Sequence, residues 1–411
     1  MHILFLSDNF PPEVNAPASR THEHCRQWVA AGETVTVITC APNFPQGRVF
    51  GGYRNRLWQQ EVVDGIRVIR VWSYITANEG FVRRVLDYLS YMLTAFIASL
   101  FVRRVDVVVA TSPQFFTAVA GWATGALKRV PFVFELRDLW PESIRAVGAM
   151  RESAAIRWLE RLEMFLYRRA TRIVSVTHAF RDTLARRGID PGKIDVVTNG
   201  VDTARFSPRP KDAALLHDLG LQGCFVAGYI GTHGMAHGLE TLLAAAQQLQ
   251  QRDEARDTRI LLLGDGARKA ELKAEAGRLA LRNVIFVDTV PKEQVARYWS
   301  VLDVSIIHLR RAEVFTTVIP SKLFECMGMG VPVLHGVQGE SARIVEREGM
   351  GRVFEPENTS QLVSALLEMQ LHRDLLRGYR DNCLAAAQRY DRTALATQML
   401  CSLQASVRAG R

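Results

Sequence analysis

The densest chemistry in this chain lies between Thr317 and Val333, where Pro320, Ser321, Lys322 and Glu325 fall within about one helical turn. Pro320 suits the first turn of a helix, because its φ is already helical and its missing N–H has no partner to lose. Ser321, Lys322 and Glu325 then stand at i, i+1 and i+4, with Leu323, Phe324 and Met327 free to pack behind them. A helix N-terminus carrying a hydroxyl and an ammonium attracts phosphate. A carboxylate one turn later can accept two hydrogen bonds from a sugar diol. Together they suit a nucleoside diphosphate sugar. The plainer reading is a surface helix with a capping serine and an i, i+3 Lys–Glu pair.

A second phosphate-seeking device stands earlier in the same half. The strand-like run Phe225–Ile230 leads into the loop 231–238, with Gly231, Thr232, His233 and His237, and then into a helical stretch from Leu239 to Leu249. Glycines let backbone N–H groups close on a phosphate, and the following helix adds its dipole. Such a loop is also often a mere tight turn. Two devices at strand ends of one sheet are a stronger sign than either alone. In the first half, Asn9–Ser19 follows the first strand, bringing Pro11, Pro12, Asn15 and Ala16 to its rim. Phe134–Glu142 ends another strand there: Arg137 could hold a phosphate and Asp138 could orient or help activate a hydroxyl, or the stretch is simply a helix N-cap over Trp140. His178 follows a third strand end, as a satisfied rim residue or a participant.

The elements that must position these residues alternate. Ile3–Ser7, Thr34–Thr39, Val105–Ala110, Phe132–Leu136, Ile173–Val176 and Ile194–Val197 are short apolar runs, separated mostly by helical stretches such as Ala16–Ala31, Gln114–Leu127 and Ser153–Arg169. That pattern predicts a parallel sheet covered on both faces, with ligands at the strand carboxyl ends. Glu61–Val71 reads as a hairpin turning at Asp64-Gly65, an insertion without chemistry. Asn199–Pro210 breaks the periodicity and marks a domain boundary. The pattern then restarts with Arg259–Leu263, Val284–Val287 and Val304–His308, and from Thr359 the chain is helical.

A length of 411 residues fits two domains of about 200 residues. Six scattered cysteines without a CxxC fit reduced thiols and give no structural zinc pattern. The apolar run at Met1–Leu6 is too short for a secretory leader and reads as a first strand. Of the formal charge of +9, the first 200 residues carry +7. No nucleic-acid-binding signature accompanies that excess, so nucleic acid is not expected as a partner. Arg83-Arg84 and Arg103-Arg104 bracket a charge-free stretch, Tyr88–Val102, too short to span a bilayer. It is either a helix with one face on the sheet, or a helix lying in an anionic headgroup region, or both.

The order Pro-rich first loop, Asp138-Leu-Trp-Pro141, Asn199-Gly-Val-Asp202, glycine loop, Leu263-Gly-Asp-Gly266, Pro320-Ser-Lys-x-x-Glu325 and Gly330-x-Pro-Val333 resembles the retaining glycosyltransferases of family 4. The likeness runs over essentially the whole chain and leans toward the branch that transfers N-acetylated amino sugars, such as N-acetylfucosamine, in bacterial surface polysaccharides. It implies the GT-B fold: two Rossmann-like α/β/α domains facing across a cleft, residues 1–203 for the acceptor and 204–390 for the nucleotide sugar, with a helix from 391 to 411 returning to the first. By resemblance, Glu325 grips the ribose, Lys322 and Ser321 touch the diphosphate, and the Gly231 loop with Thr232, His233 and His237 carries the phosphates. Thr289 and Val290 hold the base, uracil. Thr317 stands where the family often has a first glutamate, eight residues before Glu325. His237, and Thr232 or His233, stand where it often has lysine and arginine, and Arg137 where many members have histidine. Asn15, Ala16, Arg20, Arg137, Asp138 and His178 fall on the acceptor side, and Lys322, Glu325 and Asp138 nearest the chemistry.

The resemblance further implies a front-side reaction with retention, in which the departing diphosphate helps deprotonate the acceptor and no metal or other cofactor is needed. The expected partners are a UDP-sugar, a lipid-linked saccharide acceptor and an anionic membrane surface, with the protein in the cytoplasm against the inner face of the plasma membrane. A nucleotide-sugar epimerase of the same fold, or a non-catalytic sugar-nucleotide-binding scaffold, are the alternatives. A nicotinamide dehydrogenase is disfavoured, because no Gly-x-Gly-x-x-Gly follows the first strand.

Overall fold

The computed structural model describes residues 1–409 except 14, 45, 77–80, 113 and 140–153, and the backbone alone at 16, 81, 82, 154 and 155. The chain divides into two compact units, Met1–Thr198 with Arg392–Arg411, and Asn199–Asp391.

The first unit contains β1 (His2–Leu6), α1 (Ala16–Ala30), β2 (Thr34–Cys40), β3 (Trp58–Val63), β4 (Ile66–Val71), α2 (Phe81–Leu100), β5 (Val107–Thr111), α3 (Phe115–Lys128), β6 (Phe132–Leu136), α4 (Ala154–Arg169), β7 (Arg172–Ser175), α5 (His178–Arg186) and β8 (Ile194–Val196). Its sheet runs β3-β4-β2-β1-β5-β6-β7-β8. The central strands are buried at nearly every position and mostly apolar, because both faces are covered. In β1, Leu4 and Leu6 enter one core while Ile3 and Phe5 enter the opposite one.

The hairpin is not an insertion. Its turn sits at Asp64-Gly65, both with positive φ (49° and 79°), as a two-residue turn requires. Yet β4 pairs parallel with β2, Ile38 opposite Ile69, and only β3 runs antiparallel, as the edge strand. Helix α2 buries Tyr91, Ala95 and Ala98 in the core. Its outer face is apolar as well, with Leu93, Ile97 and Leu100 exposed.

The second unit contains α6 (Ala213–Asp218), β9 (Phe225–Ile230), α7 (Glu240–Gln250), β10 (Thr258–Leu263), α8 (Lys269–Arg278), β11 (Val284–Val287), α9 (Val295–Ser300), β12 (Val304–His308), α10 (Lys322–Met329), β13 (Val333–Gly336), α11 (Glu340–Glu348), β14 (Gly351–Val353), α12 (Thr359–Leu371) and α13 (Arg373–Arg389). The sheet order β11-β10-β9-β12-β13-β14 is the dinucleotide-fold order, reversing between β9 and β12. Val201 pairs with Asp391, tying the segment after Thr198 into this unit. The last helix, α14 (Arg392–Ala409), belongs to the first unit. Its Leu395, Met399 and Leu403 pack with Trp28, Ile3 and Phe5, and the Trp28 indole donates to the carbonyl of Ala396 at 2.8 Å.

Candidate active site

Where strand order reverses, the connections from adjacent strands leave in opposite directions and open a crevice at the strand carboxyl ends. In the second unit the reversal lies between β9 and β12, and a cavity of about 500 Å³ stands there. Gly231, Thr232, His237, Thr289, Val290, Ser321, Lys322 and Glu325 line it.

Two glycines shape its floor. Gly231 has φ +146°, and a Cβ on it would meet the Lys322 Nζ at 2.9 Å. Gly264 has φ +144°, and a Cβ there would fall 1.9 Å from the carbonyl oxygen of Gly231. The ends of β9 and β10 therefore touch backbone to backbone, which only glycine permits.

Helix α10 begins at Lys322, two residues later than Pro320 suggests, and Ser321 precedes it in helical geometry without a side-chain cap. Leu323, Phe324, Cys326 and Met327 are buried behind it, which fixes the face that carries Lys322 and Glu325. The Lys322 ammonium lies 3.6 Å from the centroid of the Tyr229 ring, whose own hydroxyl donates to the carbonyl of Thr232 at 2.8 Å. Burial pulls the Lys322 pKa down to about 7, against the opposing pull of the Glu325 carboxylate. Glu325 Oε2 accepts a hydrogen bond from the buried Trp299 indole at 3.1 Å. The cavity thus contains a partly discharged ammonium, a carboxylate held by an indole, and the loop that begins at Gly231.

The two loop histidines separate. His237 lines the cavity with its Nδ1 buried and unpartnered, and burial, then Lys322, brings its pKa to about 4. It is therefore neutral at physiological pH. His233 is fully buried under Tyr229 and stands outside the cavity wall. Its backbone bonds Asp265 and Arg268, which makes it a strut between the loops after β9 and β10. Thr317 is also outside the wall, its hydroxyl donating to the carbonyl of Val314 at 3.1 Å. His308 and Val318, which the motif reading passed over, line the cavity, as does Asp265, which it quoted within Leu263–Gly266 without a role. Tyr229 was missed too, although strand periodicity puts it in one layer with Phe225 and Ala227.

In the first unit the order reverses between β2-β1 and β5. The Ser112 hydroxyl, just past β5, accepts from the backbone N–H groups of Arg137 (2.8 Å) and Asp138 (3.3 Å), fixing that loop at the rim. Asn15 caps α1 by accepting from the N–H of Ala18 and donates to Asn9. Ala16 opens that helix, and exposed His178 opens α5 behind the capping Thr177. Trp140, Pro141 and Glu142 lie outside the described residues.

Arg20 departs from its expected place at the acceptor. It is buried, with Nε on Glu135 at 2.9 Å and its other nitrogens on the carbonyls of Thr198 and Val197. Burial alone would raise the Glu135 carboxyl, but the Arg20 and Arg137 guanidinium groups bring it to about 2. Arg20 ties α1, β6 and the end of the unit together. Asp8, directly after β1, was passed over. Burial, then the carboxylates of Asp87 and Glu13, push its carboxyl up to about 8.

Comparison with known proteins agrees with this geometry. Residues 15–200 match the glycosyl transferase 4-like domain and residues 224–371 match the glycosyl transferases group 1. WcaI of Escherichia coli (strain K12), a glycosyl transferase assigned to colanic acid biosynthesis, is 23% identical over 400 residues, covering 93% of this chain and 96% of its own. WbjE of Pseudomonas aeruginosa, described as a glycosyltransferase, is 24% identical over 247 residues, 58% of this chain and 60% of its own. The crystal structure of HepE from Anabaena in complex with UDP superimposes with a TM-score of 0.71 at 17% identity, covering 98% of this chain and all of that one. With these two domain matches spanning most of its length on a GT-B scaffold, the chain belongs to the glycosyltransferases built from a 4-like domain followed by a group 1 domain.

Proposed function

We propose that the chain is a retaining transferase that moves a sugar, an N-acetylated amino sugar, from a UDP-sugar to a lipid-linked or saccharide acceptor in cell-surface polysaccharide assembly, working in the cytoplasm against an anionic membrane. The observation that carries this reading is the meeting of Lys322, Gly231 and Glu325 in one cavity at the reversal of a dinucleotide-type sheet. The polysaccharide context is supported by the name of WcaI, and the choice of UDP by the ligand of HepE.

On this reading the diphosphate lies over the amides after β9 and against Lys322, with Ser321 beside it. Glu325, held by Trp299, accepts from the ribose hydroxyls, and Thr289 and Val290 offer backbone groups to the base. The acceptor hydroxyl attacks on the face from which the diphosphate departs, so the phosphate oxygen takes its proton and the configuration is kept. What the protein must then stabilise is the charge growing on the departing phosphate. An ammonium desolvated in advance, with preset amides, does this without reorganisation and without a metal. Asn15, Arg137, Asp138 and His178 hold the acceptor.

A thermal-shift panel of nucleotide sugars tests the reading, because a ligand that binds the native state raises its melting temperature. UDP-N-acetylhexosamines should give the largest shifts, and a panel without any shift would defeat the proposal. Incubation with UDP-N-acetylglucosamine alone should leave the sugar configuration unchanged; a converted nucleotide sugar would identify an epimerase instead.

A further inference from the structure

Helix α2 presents to solvent a face that a protein surface normally avoids. Its exposed positions Leu86, Leu93, Ile97 and Leu100 follow a spacing of 7, 4 and 3, one stripe along the helix. Phe101 continues the stripe and is 68% exposed. The stripe does not end at the helix. The Trp58 ring on edge strand β3 meets Phe101 edge-on at 6.2 Å, and Leu57 beside it is 77% exposed. Further along the helix the Thr94 hydroxyl donates to the Trp72 carbonyl at 2.8 Å, and the Tyr74 N–H to Ser90 at 2.7 Å, so exposed Trp72 and Tyr74 adjoin it as well. An apolar patch of this extent marks a contact surface.

The charges around it choose the partner. Arg83 and Arg84 lie at one end of the stripe and Arg103 and Arg104 at the other, all exposed. Lys128, whose ammonium reaches the carbonyl of Val102 at 2.8 Å, and exposed Arg129 extend the second group. The acidic member of the stretch is Asp87, half-buried on the flank of α2, its carboxyl pushed up to about 7 by burial. Apolar side chains flanked by arginines, with tryptophan and tyrosine at the edge, suit the boundary between lipid tails and anionic headgroups. No helix among the described residues is long and apolar enough to cross a membrane.

We infer that the outer face of α2, with Phe101 and the Trp58 edge of the hairpin, lies in the headgroup layer of an anionic bilayer, the four bracketing arginines on its phosphates. This deepens the membrane part of the proposed function by naming the surface. It leaves the donor cavity untouched, since both sets of residues lie in different units. The hairpin that carries no catalytic group then has a task, as one side of the anchor.

Vesicle sedimentation tests it with the full chain, using phosphatidylcholine vesicles with and without about a third phosphatidylglycerol. The protein should pellet with the anionic vesicles only. Leu93→Glu with Phe101→Glu should weaken binding at least tenfold. Arg83→Glu with Arg84→Glu should weaken it by roughly fivefold or more per arginine, given about 1 kcal/mol for each basic side chain at such a surface. Tryptophan fluorescence should be quenched by lipids brominated near the headgroup, and less so in Trp58→Phe. The altered side chains are exposed, so melting temperature and the UDP-sugar thermal shift should be retained; a wild type with no UDP-sugar shift would count against the donor reading and not this one. No pelleting with anionic vesicles, or pelleting unchanged by both double variants, overturns the inference. So does a dimer in solution that the Leu93→Glu, Phe101→Glu variant dissociates, because a second copy would then cover the patch.

Discussion

Raising the pH from 6 to 8 discharges Lys322 in the ligand-free protein, because its pKa stands at about 7. A diphosphate beside the ammonium favours the charged form, so the pKa in the complex lies above that of the free protein. The sign follows: below pH 7 the lysine is charged before and after binding, and affinity is flat; above pH 7 binding must take up a proton, and affinity falls. Each unit of pH beyond 7 weakens binding by up to about tenfold, or about 1.4 kcal/mol, until the pKa of the complex is reached. Between pH 6 and pH 8 the protonated fraction of the free lysine drops from about nine-tenths to about one-tenth, so the dissociation constant of a UDP-sugar should rise roughly tenfold. Burial lowers His233 and His237 to about 4 in the free protein, and the Lys322→Arg variant, which keeps both, separates any proton uptake of theirs from that of the lysine. Calorimetric titration with a UDP-sugar in two buffers of different ionisation heat should register uptake of about 0.9 proton at pH 8 and about 0.1 at pH 6. Lys322→Arg, charged throughout, should bind with an affinity independent of pH in this range. A flat affinity with no proton uptake in the wild type would refute the reasoning, because it would mean that Lys322 either does not meet the diphosphate or is not desolvated.

Glu325→Ala should weaken donor binding by about 10- to 100-fold, the loss of hydrogen bonds to a charged acceptor, with turnover at saturation falling much less; comparison of KM and kcat checks it, and unchanged donor affinity would sink the ribose assignment. Gly264→Ala drives a Cβ to 1.9 Å from the Gly231 carbonyl oxygen. Thermal or urea unfolding should show a loss on the order of 2–4 kcal/mol and donor affinity should fall with it, whereas a neutral result would deny that the two strand ends touch. Arg20→Ala takes from the buried Glu135 the guanidinium that stands 2.9 Å away and leaves its charge to Arg137. It should cost about 3–5 kcal/mol of stability while leaving the KM for acceptor unchanged in the folded fraction. A higher KM with intact stability would return Arg20 to the acceptor site.

The fold was legible because both sheets are parallel but for the edge strand β3 and are covered on each face, so most strands appear as short, largely apolar runs at helical intervals. Tyr229 and Phe225 share a layer because strand periodicity is two, and that much the sequence contains. The hairpin was misjudged because pairing of β4 with β2 is a long-range choice that no local turn signal records. His233 and His237 stand four positions apart in one glycine loop, and nothing local tells the buried strut from the cavity-facing ring. The resemblance put Arg20 on the acceptor side. Its partner Glu135 is 115 residues away, and such burial becomes visible only once β6 and α1 are packed. That Lys322 and Glu325 would share the wall of one cavity was legible because they stand three positions apart at the start of one short helix. Trp299, which holds Glu325, sits 26 positions earlier on another helix and carried no signal of that task.

The most direct test of the donor assignment is a crystal structure of the protein with a UDP-sugar bound. The diphosphate should lie within hydrogen-bond distance of the Lys322 ammonium and of backbone N–H groups in the Gly231 loop, with the ribose hydroxyls on Glu325. A diphosphate seated elsewhere, with Lys322 still folded over Tyr229 and no phosphate oxygen in reach, would contradict it.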